Sequence, residues 1–421
     1  MGRMVMYFKT LRALLLGLCI VSMAAVSWVS SSLAEEGNLE QQVQELIQQN
    51  RALTDRLTEV EQQLNEMKAV PEPSRAEGVG FLSDLEDHIT INGLLEFGAA
   101  YHSTDMNHSG FEHDSDISMT SVELGIEAEI NDWVSAEMIL LFEDPSGAIN
   151  TYEDIRDDET NFDVEEAFIT IANPDVTPGF LRAGKMYVPF GALLTHFPDD
   201  MGIDSPLTLL LGETLEKALV IGAEYAGFTV SAYVFNGDVE EAGGGDNVIE
   251  TYGFDANYAF EDEDLGLDLL VGGSYISNIA DSDWTEEVLD HYDLEIDDYA
   301  EGAAAYLHVG YQGLFVEAEY MAAVDHVNVE GEDLGKPTVW NIEAGYNYNW
   351  WRNLEIALQY AGSDDCGSLR LPRDRYGINF NQEIFDNTIL SVGYMYDEYA
   401  TDDDLDRNTR DLIFGQLAIE F

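Results

Sequence analysis

Residues 338–350 read Thr-Val-Trp-Asn-Ile-Glu-Ala-Gly-Tyr-Asn-Tyr-Asn-Trp. Trp340, Ile342, Ala344, Tyr346, Tyr348 and Trp350 share one parity, and Asn341, Glu343, Gly345, Asn347 and Asn349 take the other. Successive side chains of an extended strand point to opposite faces, so this segment has one apolar and one polar face. The pattern recurs. Ile89, Ile91, Gly93, Leu95, Phe97, Ala99 and Tyr101 alternate with polar or small residues, and Val122, Leu124, Ile126, Ala128 and Ile130 alternate with Glu123, Gly125, Glu127 and Glu129. A soluble sandwich also alternates, but its wet face usually carries many Lys and Thr. Here the polar parity carries Glu, Asn, Gly and Gln, while the apolar parity ends in Tyr, Trp or Phe near the turns. That is the pattern of a lipid-facing band with aromatic girdles around a wet lumen, where a charge on the lipid side costs about 2–4 kcal/mol at midplane. The reading is an all-β, antiparallel transmembrane β-barrel.

Working outward from this segment gives sixteen strands between residues 88 and 421, with fourteen or eighteen left open. They fall at 88–102, 116–131, 134–143, 162–172, 180–188, 218–226, 228–236, 250–260, 266–277, 301–311, 314–324, 338–348, 354–361, 375–383, 388–397 and 411–421. Their connections alternate in length. Short turns are expected at 131–133, near Gly227, and at 261–265, 312–313, 349–353 and 384–387, while the others are longer and acidic. Short turns mark the periplasmic side of such barrels, which places both ends of the strand array there. The longest connection, Phe190 to Lys217, is expected to fold inward and narrow the lumen. The final strand places Ile413, Gly415, Leu417, Ile419 and the terminal Phe421 on one parity, and an aromatic C-terminus of this kind resembles the signal read by the outer-membrane assembly machinery.

The front of the chain obeys other periods. Residues 1–34 read as a cleaved signal peptide: Arg3, Lys9 and Arg12, then an apolar run from Leu11 to Val26, then Ser32-Leu33-Ala34. Residues 35–69 read as a periplasmic coiled coil, with Leu39, Leu46, Leu53, Val60 and Met67 at d and Val43, Asn50, Leu57 and Leu64 at a. Asn50 would set the register of that seam; a single amphipathic helix lying on the barrel is the alternative. Pro71 and Pro73 open a linker over 70–87, and the barrel occupies 88–421.

Composition excludes several classes. With 18 Lys+Arg against 82 Asp+Glu, the net charge is −64, which repels nucleic acid. Loss of the leader removes Cys19 and leaves Cys366 alone, so no intrachain disulfide is expected. No later apolar run reaches the length of a transmembrane helix. Neither a Gly-x-Ser-x-Gly elbow, a phosphate-cradling glycine loop nor His-Glu-x-x-His occurs, so no enzyme, cofactor or catalytic residue is assigned. His102, Asp105, His108, Glu112, His113 and Asp114 gather in the first external connection without metal-ligand spacing, and a solvated loop is the default there.

Five segments carry a family likeness: Ser121–Glu137, Val164–Pro174, Leu181–Gly191, Ser231–Asp238 and Tyr275–Asp283. They resemble the LbtU-type siderophore porins, a family named for an outer-membrane receptor of legiobactin, and the likeness covers about 90–421. Leu181–Gly191 is also similar to phosphate-selective porins. The resemblance implies passive passage of ferric siderophores through the outer membrane; periodicity alone implies a pore.

Basic residues are scarce enough that their places matter. Arg373 and Arg375 are expected in the lumen or its mouth, with Arg370 in the loop above, Lys185 at the outer end of its strand and Lys217 closing the inward loop. Opposite Asp204 and Glu213 these would set a transverse field suited to a carboxylate siderophore. The plainer reading is that the arginines neutralise Asp364, Asp365 and Asp374. Arg182, of opposite parity to Lys185, is expected to snorkel to the periplasmic interface. Glu96, Glu123, Glu127, Glu129, Glu137, Glu317, Glu319, Glu343 and Glu355 should line the lumen and favour cations, although salt adaptation accounts equally for so acidic a chain. The alternatives to a siderophore channel are a general cation-preferring or carbohydrate-type porin and an envelope-tethering structural porin. Expected partners are outer-membrane lipid and lipopolysaccharide, a small solute and two further copies of the chain as a homotrimer, although Asn50 at an a position also suits a dimer.

Overall fold

The structure is a computed structural model that describes residues 88–107, 109–143, 161–195, 206–239, 241, 248–349, 352–400 and 407–421. The expected leader, coiled coil with Asn50, linker and Asp204 lie outside these residues.

The strands are β1 (Ile89–Met106), β2 (Gly110–Asn131), β3 (Val134–Glu143), β4 (Asn161–Ala172), β5 (Gly179–Tyr187), β6 (Leu215–Tyr225), β7 (Phe228–Phe235), β8 (Thr251–Asp262) and β9 (Leu267–Ile276). They continue as β10 (Gly302–Tyr311), β11 (Leu314–Ala323), the short β12 (Asn328–Val329) and β13 (Glu332–Asp333), then β14 (Thr338–Tyr348), β15 (Leu354–Asp364), β16 (Asp374–Phe385), β17 (Thr388–Glu398) and β18 (Arg407–Glu420). All but β12 and β13 form one closed barrel, sixteen strands each antiparallel to its neighbours, and β12 and β13 make a separate hairpin. Closure joins β1 to β18, where Gly93 and Phe421 exchange two backbone hydrogen bonds of 2.8 and 3.0 Å. Closure removes the exposed edges that an open sheet would present to lipid.

The connections alternate as expected. Ala226-Gly227 and Gln312-Gly313 join neighbouring strands with positive φ at both residues (52° and 83°, 50° and 88°), the two-residue turn whose twist matches paired strands. At this end outward aromatics gather, among them Tyr225, Phe228, Tyr311, Phe385 and Phe421. Near the other end stand Tyr252, Phe254, Tyr320 and Tyr376, and between the two groups the exposed parity is Leu, Ile and Val, as in Ile221, Val316, Ile342 and Leu358. Such a continuous exposed apolar belt fits lipid and not water. Among the described residues no helix is long and apolar enough to cross a membrane, so the crossing belongs to the strands.

Two features depart from expectation. The first external connection is no acidic loop: β1 and β2 run on as a paired ribbon to Met106 and Gly110, with only 107–109 between them. His102 stands opposite Asp114 on the inward parity, whereas His113 contacts the outward Tyr101 through a 3.0 Å bond to its hydroxyl. The histidines therefore face opposite sides, and no metal-binding group of three occurs among the described residues.

The second departure is an apolar core built by the external connections themselves. The third contributes α1 (Leu207–Gly212), and the fifth contributes a 3-10 turn (Ile279–Asp281) and α2 (Asp283–Tyr292). Trp284, Thr285, Val288 and Leu289 form the buried face of α2, and Asp293 ends it in the left-handed region at φ 54°. Leu207, Leu211, Trp284, Ile296, Leu369 and Leu371 pack with Met321, Val339 and Ala361 of the barrel wall. The Trp284 indole N–H donates to Leu369 O at 2.9 Å, which ties α2 to the connection between β15 and β16.

Candidate pore and its charged belt

The third external connection does fold inward. It leaves β5, and the Gly191 N–H donates to Ser274 Oγ on β9 at 2.6 Å. The Ala192 and Leu193 N–H groups both donate to Glu319 Oε1 on β11, at 2.7 and 3.2 Å. Gly191 has φ +80°, and a Cβ there would sit 2.1 Å from Met321 Cε, so glycine is needed for the close approach to the wall. Helix α1 then packs against β11, β14 and β15 before the chain returns to β6. In strand order β14 and β15 lie nearly across the barrel from β6, so the segment spans the lumen at its outer end.

Inward parity follows from the register. One row across the strands runs Tyr306, Glu319, Asn341, Ala361, Arg375, Asp397, Arg410, Thr104. The next row includes His308, Glu317, Glu343, Gln359 and Gly377. The lumen wall is thus polarised around its circumference. On the β10–β14 side Glu317, Glu319 and Glu343 stand together, with the two ring nitrogens of His308 held by Glu317 (2.6 Å) and by Asp268. On the β16–β18 side Arg375 and Arg410 flank one carboxylate. Arg375 Nε and Nη2 bind the two oxygens of Asp397 at 2.8 and 3.2 Å, and Arg410 Nη2 binds Asp397 Oδ2 at 2.8 Å. The three side chains are 2, 3 and 0 % exposed for Arg375, Arg410 and Asp397. Two arginines thus converge on one carboxylate in a largely acidic wall.

The expected basic strip is divided by this geometry. Arg375 has the inward parity assigned to it. Arg373 sits at the rim, where it binds Asp374 at 2.8 Å and Glu398 at 3.2 Å; these neighbours hold its pKa above the usual guanidinium value, the Asp374 hydrogen bond first. Arg370 lies over the Tyr292 ring, 5.5 Å from its centroid, and belongs to the loop core. Lys185 and Lys217 pair directly across β5 and β6, in line with Leu181–Ile221 and Ala183–Leu219. Leu219 and Ile221 are 45 and 60 % exposed on the lipid face, so both lysines stand on the outward parity and not in the lumen. Lys185 is bound there by Asp163 at 3.1 Å. The reason is register: β6 begins at Leu215, before Lys217, so strand alternation decides its direction and not the inward connection. Glu213 ends α1, and its carbonyl accepts the Asp283 N–H at 2.9 Å, which joins α1 to α2.

Arg182 corrects a further expectation. It does have the opposite parity to Lys185, but the sides are reversed. Arg182 pairs with the buried Val220 and lies 5.4 and 5.9 Å from the Phe180 and Phe168 ring centroids, inside the barrel rather than at a lipid interface. It lines an inner recess with Asp255, Asn257 and Glu224. Arg410 and Asp397 escaped the sequence reading, although parity reveals them: with Ile413 and Tyr394 outward, Arg410 and Asp397 must face in.

A sixteen-strand closed barrel with short turns at one end and an inward-folded third external connection is the architecture of a diffusion channel, and residues 69–402 match the family model described as Gram-negative porin. The chain belongs to that family. The porin fold recurs in solved structures at low identity, which speaks to fold alone. The anion-selective porin from Comamonas acidovorans is 11% identical at a TM-score of 0.52, covering 79% of this chain and 99% of that one. Pseudomonas putida OprB is 10% identical at 0.52, covering 82% and 97%. Among curated relatives, the porin is 26% identical over 319 residues to a UPF0422 protein of Coxiella burnetii, covering 73% of this chain and 64% of the relative. It is 25% identical over 334 residues to UPF0422 protein lpl2888 of Legionella pneumophila (strain Lens), covering 73% and 59%. The porin thus spans less than two thirds of the length of these relatives. The family model makes the chain a Gram-negative porin, and its closed antiparallel barrel is the form in which strands span an outer membrane.

Proposed function

We propose that this porin passes small anionic solutes passively, ferric carboxylate siderophores among them, by way of the arginine patch on β16–β18. The supporting observation is the Arg375–Asp397–Arg410 cluster, which brings two inward arginines onto one carboxylate and stands in the same register row as Glu319 and Asn341. A field directed from one wall to the other orders a charged solute and its water as it passes, and the almost fully buried Arg375 and Arg410 act on the solute through that field and not by contact. Arg182 adds a third inward cation on β5. The resemblance to the siderophore porins fits this reading. The test is current through planar bilayers with ferric citrate or a ferric carboxylate siderophore added to one side. Concentration-dependent block that weakens in Arg410→Gln supports the proposal, and unaltered current overturns it.

A second reading has its own observation. Glu96, Glu127, Glu137, Glu317, Glu343 and Glu355 all share the inward parity, which favours cations. A reversal potential on the potassium side with no siderophore block would select this general porin. Homotrimer assembly is also proposed, in keeping with the porin-type barrel; native mass measurement of a monomer or dimer would refute it.

A further inference from the structure

The external connections enclose a recess of about 570 Å³. Leu211 of α1, Val288 and Leu289 of α2, Val329 of β12 and Leu369 before β16 supply much of its wall, so four separate connections converge on it. Water wets the mouth of a diffusion channel, and nothing in conduction calls for an apolar chamber there. Binding pockets for small organic molecules span roughly 300–1,000 Å³ and combine apolar walls with a few fixed polar groups. This recess has that composition.

Its polar groups restrict the occupant. Among the described residues Arg370 is the one cationic side chain lining it, in a chain of net charge −64. Arg370 has φ +59°, a left-handed conformation that costs energy for a residue with a Cβ, and its guanidinium is fixed over the Tyr292 ring and donates to the Tyr292 hydroxyl. Glu330 and Glu332 line the same recess from the β12–β13 hairpin.

We propose that this recess binds an organic monocarboxylate with an apolar body, the body against Leu211, Val288, Leu289 and Leu369 and the carboxylate on Arg370. A planar guanidinium matches a carboxylate. Glu330 and Glu332 repel any anion in the recess, so they weaken a monocarboxylate held by Arg370 and weaken a dianion with the same body further. The site is separate from the arginine patch of the lumen, and it can be present whether or not the channel passes siderophores.

The test is equilibrium dialysis of the full chain in lipid nanodiscs, with empty nanodiscs subtracting partition into lipid. The probes are 4-phenylbutyrate, butyrate, 4-phenylbutanol and phenylsuccinate. The expected order places phenylbutyrate at least about tenfold ahead of each of the others, since both the apolar body and a single charge contribute. Arg370→Gln should remove most of the preference for phenylbutyrate over phenylbutanol. Ser368→Trp, placed at an exposed position of the lining, should fill the recess and abolish binding of both. Absence of saturable phenylbutyrate binding overturns the proposal. So does binding that neither substitution alters, or phenylsuccinate binding as tightly as phenylbutyrate. A porin that conducts normally and binds none of the probes loses this site and keeps its channel function.

Discussion

Asp397→Asn should be the most damaging single charge substitution in the lumen wall. Asp397 is fully buried and is the shared acceptor of three charge-assisted hydrogen bonds, at 2.8, 3.2 and 2.8 Å, from Arg375 and Arg410. The substitution keeps size and shape but takes the shared carboxylate away from two buried guanidinium groups. Removing one partner of a buried ion pair costs about 3–5 kcal/mol. Arg410→Met should cost less, about 1–2 kcal/mol, because the two-point Arg375–Asp397 contact survives as a neutral pair and one like-charge repulsion disappears. Arg375→Met removes two of the three bonds and should fall between. The assay is urea unfolding in lipid vesicles followed by tryptophan fluorescence, with each barrel folded before denaturant is added. An Asp397→Asn loss below about 1 kcal/mol, or Arg410→Met as the worst of the three, would refute the reasoning, because the cluster would then not be desolvated.

Three more outcomes follow from other parts of the molecule. Burial first, and then repulsion from Asp238, Asp283, Asp290 and Glu216, push the Glu286 carboxyl up to about 8; burial pushes Asp281 up to about 7. Because the folded values exceed the unfolded ones, the protonated loop core is most stable at acid pH, loses stability as pH rises from about 4 to about 8, and levels off above that. Hydrogen exchange at α2, corrected for the intrinsic base-catalysed rate, should quicken across that window, and a flat corrected profile contradicts the account. A Cβ on Gly93 would lie 2.5 Å from Phe421 Cζ, so Gly93→Val should slow barrel closure; Phe421→Ala in the same chain should relieve part of the defect, as read by heat-modifiable gel mobility during folding. Additive defects would mean that the ring and the glycine do not meet. Cys366 is buried and its thiol is pushed up to about 12, chiefly by burial, so the folded porin should resist thiol reagents until denatured.

Much of the barrel was legible because lipid imposes a rule on every spanning residue. From β3 onward each barrel-strand boundary falls within about four residues of its place in the periodic reading, which held no sign of the short β12–β13 hairpin, since a charge on the outward parity is penalised wherever the chain crosses. The first ribbon was cut short for the complementary reason. Beyond His102, the inward Thr104 and the outward Ser103 and Asp105 are all polar, so β1 carries no apolar alternation to read, and the ribbon is held by backbone pairing. The loop core was hidden differently. Trp284, Val288 and Leu289 sit among Asp283, Glu286, Glu287 and Asp290, and a short amphipathic helix in so acidic a stretch gives no sign of what will cover it. Among the candidate site residues, Arg375 inside β16 yielded to parity, whereas Lys185 inside β5 was given the wrong side. Lys217 misled because the reading began β6 three residues late and left it to the inward connection.

Cysteine scanning during conductance recording distinguishes the water-filled face of the barrel wall from its lipid face. Leu124 and Glu127 lie on opposite parities of β2, Leu124 paired across the strands with Gly93 and Glu127 with Thr90. In planar bilayers the porin should give discrete conductance steps. A charged, water-soluble thiosulfonate should change those steps in Glu127→Cys and leave Leu124→Cys and the parent chain unaffected. Bilayers that stay silent, or equal reaction at both positions, would contradict a water-filled barrel with its acidic parity inward and its apolar parity in lipid.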